Sequence, residues 1–306
     1  MYQCGMPGLT DMSQLPEKTY DLLIIGMGPA GVACALQARR DGLELLTVSE
    51  EAVGGLVRAA RRLDNLPAAP SIAGAKLADK LFQQVEATRI PVIASRVSGL
   101  SRNGASFRAC LADGIEVMAR AVVLATGTRP RGWKAGHFDA GVHRDIRTLA
   151  ASLAGQKVAV VGGGEAALDS ALSCCDRGAE VAVLVRGPQP RVTGRLLAEA
   201  LENGVEIHCS YDVDSVSGDR GAWCLKDGSG KVVEAHELMV CIGRLPCDGL
   251  ASELVASPVK NGIFQEACPG LMLAGDLIRG QDRYVATAMG DGQRAAVGVA
   301  RYLQKE

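Results

Sequence analysis

The stretch Tyr20–Arg40, YDLLIIGMGPAGVACALQARR, constrains this chain more than any other. An apolar run, Leu22–Ile25, enters a turn built from Gly26, Gly28 and Gly31, and the chain leaves in a pattern that reads as a helix. G-x-G-x-x-G between a strand and a helix is the fingerprint of a dinucleotide-binding turn. One glycine makes the turn, one lets backbone approach a pyrophosphate, and one packs helix on strand. The anion then lies on unpaired N–H groups at the positive end of the helix dipole. A second strand, Leu43–Ser49, ends at Glu50, which lies 19 residues beyond Gly31, where a ribose-binding carboxylate belongs. The plain alternative for Glu50 is a solvated loop acid beside Glu51.

The pattern occurs twice. After the first strand and helix come Gly54-Gly55-Leu56, a basic cluster (Arg58, Arg61, Arg62) and a helical stretch, Leu77–Ala87. A strand at Ile90–Ile93 follows, then a hairpin, Ser106–Ala112 and Ile115–Ala121, turning at Asp113-Gly114. Val122–Leu124 leads into Ala125-Thr126-Gly127. Beyond it, Lys157–Val161 is a strand, Gly162–Ala167 (GGGEAA) a second fingerprint in its G-x-G-x-x-A form, and Glu165–Arg177 a helix. Glu180–Val185, Gly204–Cys209, Trp223–Lys226, Lys231–Glu234 and Leu238–Ile242 read as the later strands of that unit. Two copies in one order predict an α/β chain with two three-layer, Rossmann-like dinucleotide-binding domains. The tail, with a strand at Leu271–Ala274, Gly275-Asp276 and a helix at Tyr284–Leu303, does not continue the second unit and is expected to complete the first. The expected domains are therefore 1–130 with 247–306, interrupted by 131–246, with Pro130 and Pro246 near the crossings.

Composition narrows the function. The chain has 306 residues, 48% hydrophobic and 22% charged, which fits about two globular domains. Aromatics at 4% argue against base stacking, and a net charge of −1 gives no field toward nucleic acid or an anionic membrane. Leu22–Ala38 is the longest uncharged stretch, but Pro29 and its glycines read as strand-turn-helix rather than a span. The first basic residue is Lys18, so Met1–Lys18 reads as an unstructured lead-in without a signal-peptide n-region, and a cytoplasmic protein is expected. Ten cysteines are scattered with no C-x-x-C, and histidines number four, which argues against a disulfide framework or a zinc site.

The ordered set IIGMGPAG, GGL…DNLP, LATG, VVGGGEAALDSAL, CIGRLP and AGD…VATAMGDGQRAA resembles the low-molecular-weight thioredoxin reductase-like flavoproteins. The resemblance runs from about Tyr20 to near the end. It implies FAD in the first fingerprint, a nicotinamide dinucleotide in the second, and a homodimer. It would place Gly26, Gly28, Pro29, Ala30 and Gly31 on the FAD pyrophosphate and Glu50 on its ribose. Gly55, Leu56 and Asn65 would lie near the isoalloxazine, with Ala125, Thr126 and Gly127 lining the site. Gly275 and Asp276 would meet the ribityl-phosphate region, and the backbone of Val285 and Ala286 the ring. Gly162, Gly164, Glu165 and Ala166 would hold the nicotinamide dinucleotide. Arg186 stands 19 residues beyond Ala167, the offset that gave Glu50 in the first unit. A guanidinium there suits the 2′-phosphate of NADP where a carboxylate would repel it, so Arg186, with Arg191, points to NADPH ahead of NADH.

The chain departs from that family in its chemistry. The resemblance would put a redox Cys-x-x-Cys shortly before the second fingerprint, yet Trp133–Ser152 contains no cysteine. Adjacent helical thiols such as Cys174-Cys175 diverge, and Cys34, Cys241, Cys247 and Cys4 offer no obvious pair. His143 and Asp145 occupy the vacated neighbourhood and are the weak candidates for proton transfer, with a polar linker as the plain alternative. An oxidoreductase is expected, passing a hydride from NAD(P)H to FAD and on to an unidentified acceptor such as a small redox protein. Ferredoxin- or flavodoxin-NADP reductase, a disulfide reductase with a non-standard thiol, and a flavin-binding redox sensor are the alternatives. Arg129, Arg131, Lys134, Arg144 and Arg147 are a candidate basic docking patch.

Overall fold

The computed structural model describes residues 18–133, 141–255 and 265–305. Most of the lead-in, with Cys4, and Lys134 of the basic patch lie outside the described residues. By their internal contacts, the described residues within 1–58, 64–129 and 246–306 form one compact unit and those within 59–63 and 130–245 a second. This division differs from the expected boundaries by one residue at each crossing and by the assignment of Ala59–Leu63.

In the first unit the chain runs β1 (Thr19–Ile25), α1 (Pro29–Arg40), β2 (Leu45–Val48), α2 (Gly74–Ala87), β3 (Val92–Ile93), β4 (Val97–Asn103), β5 (Ser106–Leu111) and β6 (Glu116–Leu124). Its sheet has the order β17-β18-β6-β1-β2-β3, where β17 is Gln265–Cys268 and β18 is Leu271–Leu273. β1 lies parallel to both β2 and β6, with Ile25 opposite Val48 on one side and Leu124 on the other. Because helices and further strands cover its faces, the central strand is continuously apolar from Leu22 to Ile25 rather than alternating, and Leu22, Leu23 and Ile24 are fully buried. Leu23 and Ile25 share a core with Phe107 and Leu111 of the antiparallel excursion. Strand alternation sends Leu22 and Ile24 to the opposite face. After the short helix α5 (Gly249–Ser252), β18 pairs parallel with β6, and α6 (Val285–Leu303) packs on α1.

The second unit repeats the plan. β8 (Val142–His143), β9 (Lys157–Val161), β10 (Glu180–Leu184), β11 (Glu206–His208) and β15 (Glu237–Val240) form a five-stranded sheet in the order β11-β10-β9-β15-β8, parallel at every pairing. Val158 and Val160 pack with Leu168 and Leu172 of α3 (Glu165–Cys175), while Ala159 and Val161 pack with Trp223 and Leu225. The latter two belong to an antiparallel sheet of β12 (Val213–Ser217), β13 (Trp223–Asp227) and β14 (Val232–Ala235). The two crossings, β7 (Thr128–Pro130) and β16 (Arg244–Pro246), pair with each other. Among the described residues, no helix is long and apolar enough to cross a membrane.

Several elements escaped the sequence reading, among them β8, β12, β17, β4 and α4 (Arg195–Glu202). β4 lacks a strand signature because Gly99 and polar residues interrupt its alternation, and α4 is only about two turns long. α3 also stops at Cys175 rather than Arg177, before the turn made by Gly178 at φ +90°.

Ala59–Leu63 is held in the second unit by charge. Arg61 donates its backbone N–H to Asp169 (2.9 Å), Nε to Asp176 (2.5 Å) and Nη1 to Glu199 (2.7 Å). Arg62 reaches both oxygens of Glu199, at 3.1 and 2.6 Å. Hydrogen bonds from Arg62, then Arg61, lower the Glu199 carboxyl from 4.5 to about 2. A depressed carboxyl contributes stability above its unfolded pKa and loses it as pH falls through the folded one. The thermal stability gap between wild type and Glu199→Gln is therefore expected to be widest above about pH 5 and to close toward pH 2. Calorimetry across that range checks this, and a constant gap would contradict it.

Candidate functional site

The two glycine turns have the same backbone construction. Gly26 N–H donates to Val48 O (2.8 Å) and Gly162 N–H to Leu184 O (3.0 Å), so each turn is tied to the strand that follows its helix. A Cβ on Gly26 would overlap the Ala125 carbonyl oxygen, and one on Gly162 the Cys241 carbonyl oxygen. Each turn is thus wedged against the end of the neighbouring parallel strand, and only glycine allows that approach. The third fingerprint position differs. A Cβ on Gly31 would overlap the Gly26 carbonyl oxygen, whereas Ala167 already places its own Cβ 3.3 Å from the Cβ position of Gly162. The first turn therefore demands glycine where the second accepts alanine.

The first unit brings Gly26, Gly28, Ala30, Gly31, Gly55, Ala125 and Gly275 of the expected FAD residues close together. Gly28 caps α1 without a side-chain cap, no acid stands in the first turn, and the Cβ position of Gly28 has nothing within 4 Å. Those are the features an anion-binding helix terminus requires. Pro29 and Ala30 open the helix. Gly55 folds over the turn, with its Cβ position 3.3 Å from Gly28 Cα, and Leu56 follows in the same 3-10 turn. Glu50 is exposed just beyond β2, and Ser49 beside it fixes the turn by accepting from Met27 N–H (3.3 Å). Gly275 and Asp276 begin a 3-10 turn, and Gly275 lies 2.7 Å, by its Cβ position, from Ala30 Cβ. Val285 and Ala286 open α6, whose first turn is likewise free of acids. Ala125–Gly127 follow β6, where the Thr126 hydroxyl donates to Cys247 O (2.7 Å). Asn65 is exposed in the segment after Gly55.

In the second unit Gly164 caps α3, again without a side-chain cap, with Glu165 exposed in the first turn followed by Ala166. Arg191 donates its backbone N–H to Gly163 O (2.7 Å), and its Nη2 stands 4.0 Å from the Cβ position of Gly164. Arg186 is exposed just beyond β10, the counterpart of Glu50 beyond β2. Opposite charges therefore stand at equivalent strand ends of the two units.

His143 and Asp145 are committed to local structure. His143 is buried, with Nδ1 2.7 Å from Thr148 Oγ1 and Nε2 3.0 Å from Glu237 Oε2. Thr148 gives its only hydroxyl proton to Asp145 O (2.8 Å), so it accepts from Nδ1–H. Asp145 caps a 3-10 turn, accepting from Arg147 N–H (2.9 Å) and from the Arg147 guanidinium. Burial pushes its carboxyl up, but those Arg147 hydrogen bonds outweigh it and leave it below the usual value. Arg147 of the basic patch is thus neutralised by Asp145, and Arg144 donates to Arg131 O (3.1 Å).

A family model for pyridine nucleotide-disulphide oxidoreductases matches residues 20–292, and the chain belongs to that family. It is 27% identical over 304 residues to the bifunctional thioredoxin reductase/thioredoxin of Mycobacterium leprae, covering 94% of this chain but 66% of that longer relative. It is 26% identical over 306 residues to the thioredoxin reductase of Bacillus subtilis, covering 94% of this chain and 96% of the relative. The crystal structure of Lactococcus lactis thioredoxin reductase superposes with a TM-score of 0.85 at 22% identity, over 94% of this chain and all of that one, which shows the shared fold. The chain is a thioredoxin reductase-like, FAD-containing, NAD(P)H-dependent oxidoreductase, with FAD and NADPH as its cofactors.

Sequence reasoning missed Gly292, whose Cβ would overlap Ala30 O, and the pairing of Arg279 with Asp291. MGDG within a helical stretch was the available signal for the first, since an interior glycine marks close packing.

Two expectations follow. Gly31→Ala should abolish FAD retention by prising α1 off its turn, while Ala167→Gly should cost about 1 kcal/mol of stability, the helix penalty of glycine. Flavin absorbance after gel filtration and thermal melts check the pair, and a flavin-loaded Gly31→Ala protein would contradict the first. Arg186→Ala should raise KM for NADPH about tenfold or more, the worth of a charged hydrogen bond, and leave KM for NADH nearly unchanged. Equal loss for both nucleotides would remove Arg186 from 2′-phosphate recognition.

Proposed function

We propose that electrons pass in this protein from NADPH to FAD and then directly to an acceptor from outside the chain, with no protein dithiol between them. FAD belongs in the first glycine turn and NADPH in the second. Bound FAD supplies the hydride-accepting and electron-releasing chemistry. The chain's own residues bind, orient and exclude water. The α1 terminus takes the FAD pyrophosphate, Glu50 its ribose, and Asp276 with the first turn of α6 the ribityl-phosphate and ring. Arg186 selects the 2′-phosphate of NADPH, and Arg191, over the α3 terminus, offsets the nearby charge of Glu165. The paired crossings β7 and β16 are where we place the hinge for the domain rotation that the family resemblance implies. A homodimer is the assembly expected.

The state of the thiols carries this reading. The sequence has no C-x-x-C and no cysteine between Cys110 and Cys174. None of the nine described cysteines is in a disulfide. Burial pushes the Cys34 thiol far up, Cys174 up to about 12, Cys241 up to about 11, and Cys175 up. Thiol–disulfide exchange needs an accessible thiolate, and these environments suppress it. Around Gly141–Ile146, where the resemblance would put the redox pair, stands instead the hydrogen-bonded series Arg220–Glu237–His143–Thr148–Asp145. The acceptor must then bring its own redox group. A small redox protein such as thioredoxin, suggested by the names of the relatives, is the first to try, followed by ferredoxin, flavodoxin, quinones and oxygen.

Anaerobic stopped-flow at the flavin absorbance tests the first half-reaction, where NADPH should bleach the flavin faster than NADH; bleaching by neither would leave a flavin-binding sensor. For the second half-reaction, alkylating the NADPH-reduced protein should leave acceptor turnover within about twofold, since no buried thiol takes part. Loss of turnover on alkylation would replace this reading with a non-standard thiol route.

A further inference from the structure

We propose that the buried ion pair between Arg279 and Asp291 is a positioning device for the flavin nucleotide. It fastens the segment that carries Asp276 to the helix whose first turn carries Val285 and Ala286. The proposal rests on the reading of the first unit as the FAD site.

Asp291 is 2% exposed on α6, and Arg279 grips both its oxygens, Nε to Oδ2 at 2.9 Å and Nη2 to Oδ1 at 2.5 Å. The hydrogen bond to Asp291 holds the Arg279 guanidinium above its ordinary value. Arg279 stands directly after the turn Gly275–Ile278, and Arg283 Nε donates back to Arg279 O (3.1 Å), so the link between that turn and α6 is closed on itself. On the other side, glycines on both segments lie against α1. Gly275, just before Asp276, touches Ala30 by its Cβ position at 2.7 Å, and Gly292, just after Asp291, approaches the Ala30 carbonyl so closely that no Cβ fits. Ala30 belongs to the first turn of α1, the turn that faces the pyrophosphate. The ion pair therefore joins two segments that clamp this turn.

Stability alone does not call for such a pair, because apolar residues of similar volume commonly replace buried ion pairs without loss. What a bidentate arginine–carboxylate contact adds is a fixed distance and angle between two backbone segments. A flavin site needs that geometry, since its groups must be held to within about 0.5 Å by their supporting shell. Arg279 and Asp291 touch no cofactor in this scheme; they act through Asp276 and the α6 terminus.

The test uses the full chain with FAD removed and re-added, comparing wild type, Arg279→Met, Arg279→Lys and Asp291→Asn. The readouts are the FAD dissociation constant, the visible circular dichroism of the bound flavin, its midpoint potential and the melting temperature of the apoprotein. Arg279→Lys keeps the charge and loses the planar fork. It is expected to melt near wild type, yet to bind FAD severalfold more weakly with an altered visible dichroism. Arg279→Met and Asp291→Asn are expected to weaken FAD by about tenfold or more. If Arg279→Met fails to fold, the lysine variant decides. Wild-type affinity, dichroism and potential in Arg279→Lys would overturn the positioning role, while wild-type protein that binds no FAD would overturn the reading of the site itself.

Discussion

Backbone pressed on backbone at the mouth of each parallel sheet is the constraint on which the remaining structure depends. Gly26 lies against the Ala125 carbonyl and Gly162 against that of Cys241, both closer than any side chain permits. That approach turns the chain sharply out of its strand and starts a helix with its amides facing outward. In the first unit the same spot collects Gly55, Gly275 and, through α6, Gly292. The small residues spread along this chain thus converge on one turn. The strand order follows, because a turn wedged between two parallel neighbours requires β6 and β2 on either side of β1.

Once the backbone is shared, side chains distinguish the units. Glu50 and Arg186 stand just beyond equivalent strands with opposite charges, so one end suits a ribose hydroxyl and the other a phosphate. Gly31 and Ala167 differ by one methyl group, and the tighter first turn explains the choice. The segment where the resemblance would place a dithiol instead holds hydrogen-bonded polar side chains. His143 bridges Thr148 and Glu237, Thr148 donates to Asp145 O, Arg220 reaches Glu237, and Arg147 is drawn to Asp145.

Much of this was legible in the residues. The apolar runs Leu22–Ile25 and Lys157–Val161, each followed by its glycines, marked both sheets because strands buried on two faces read as continuous hydrophobic stretches. The return of the tail was legible because Leu271–Ala274 matched nothing in the second unit. β4 and α4 were not, since Gly99 breaks a period of two and eight residues hardly establish one of 3.6. The Arg279–Asp291 pair was hidden for a different reason. Neither residue type is informative alone, and twelve positions separate them with no periodicity to join them. Arg61 and Arg62 were visible as a basic cluster, but only the fold shows that Asp169, Asp176 and Glu199 receive them.

Under the proposed direct exit of electrons from the flavin, the protein would take up fewer electrons than a dithiol-bearing relative. A disulfide takes up two electrons in addition to the two taken by the flavin. Anaerobic dithionite titration of the FAD-loaded protein, followed by flavin absorbance and by thiol counting at the end, measures that capacity directly. Complete bleaching at two electrons per FAD, with no increase in free thiols, is the expected result. Uptake of four electrons with the appearance of two new thiols would contradict it.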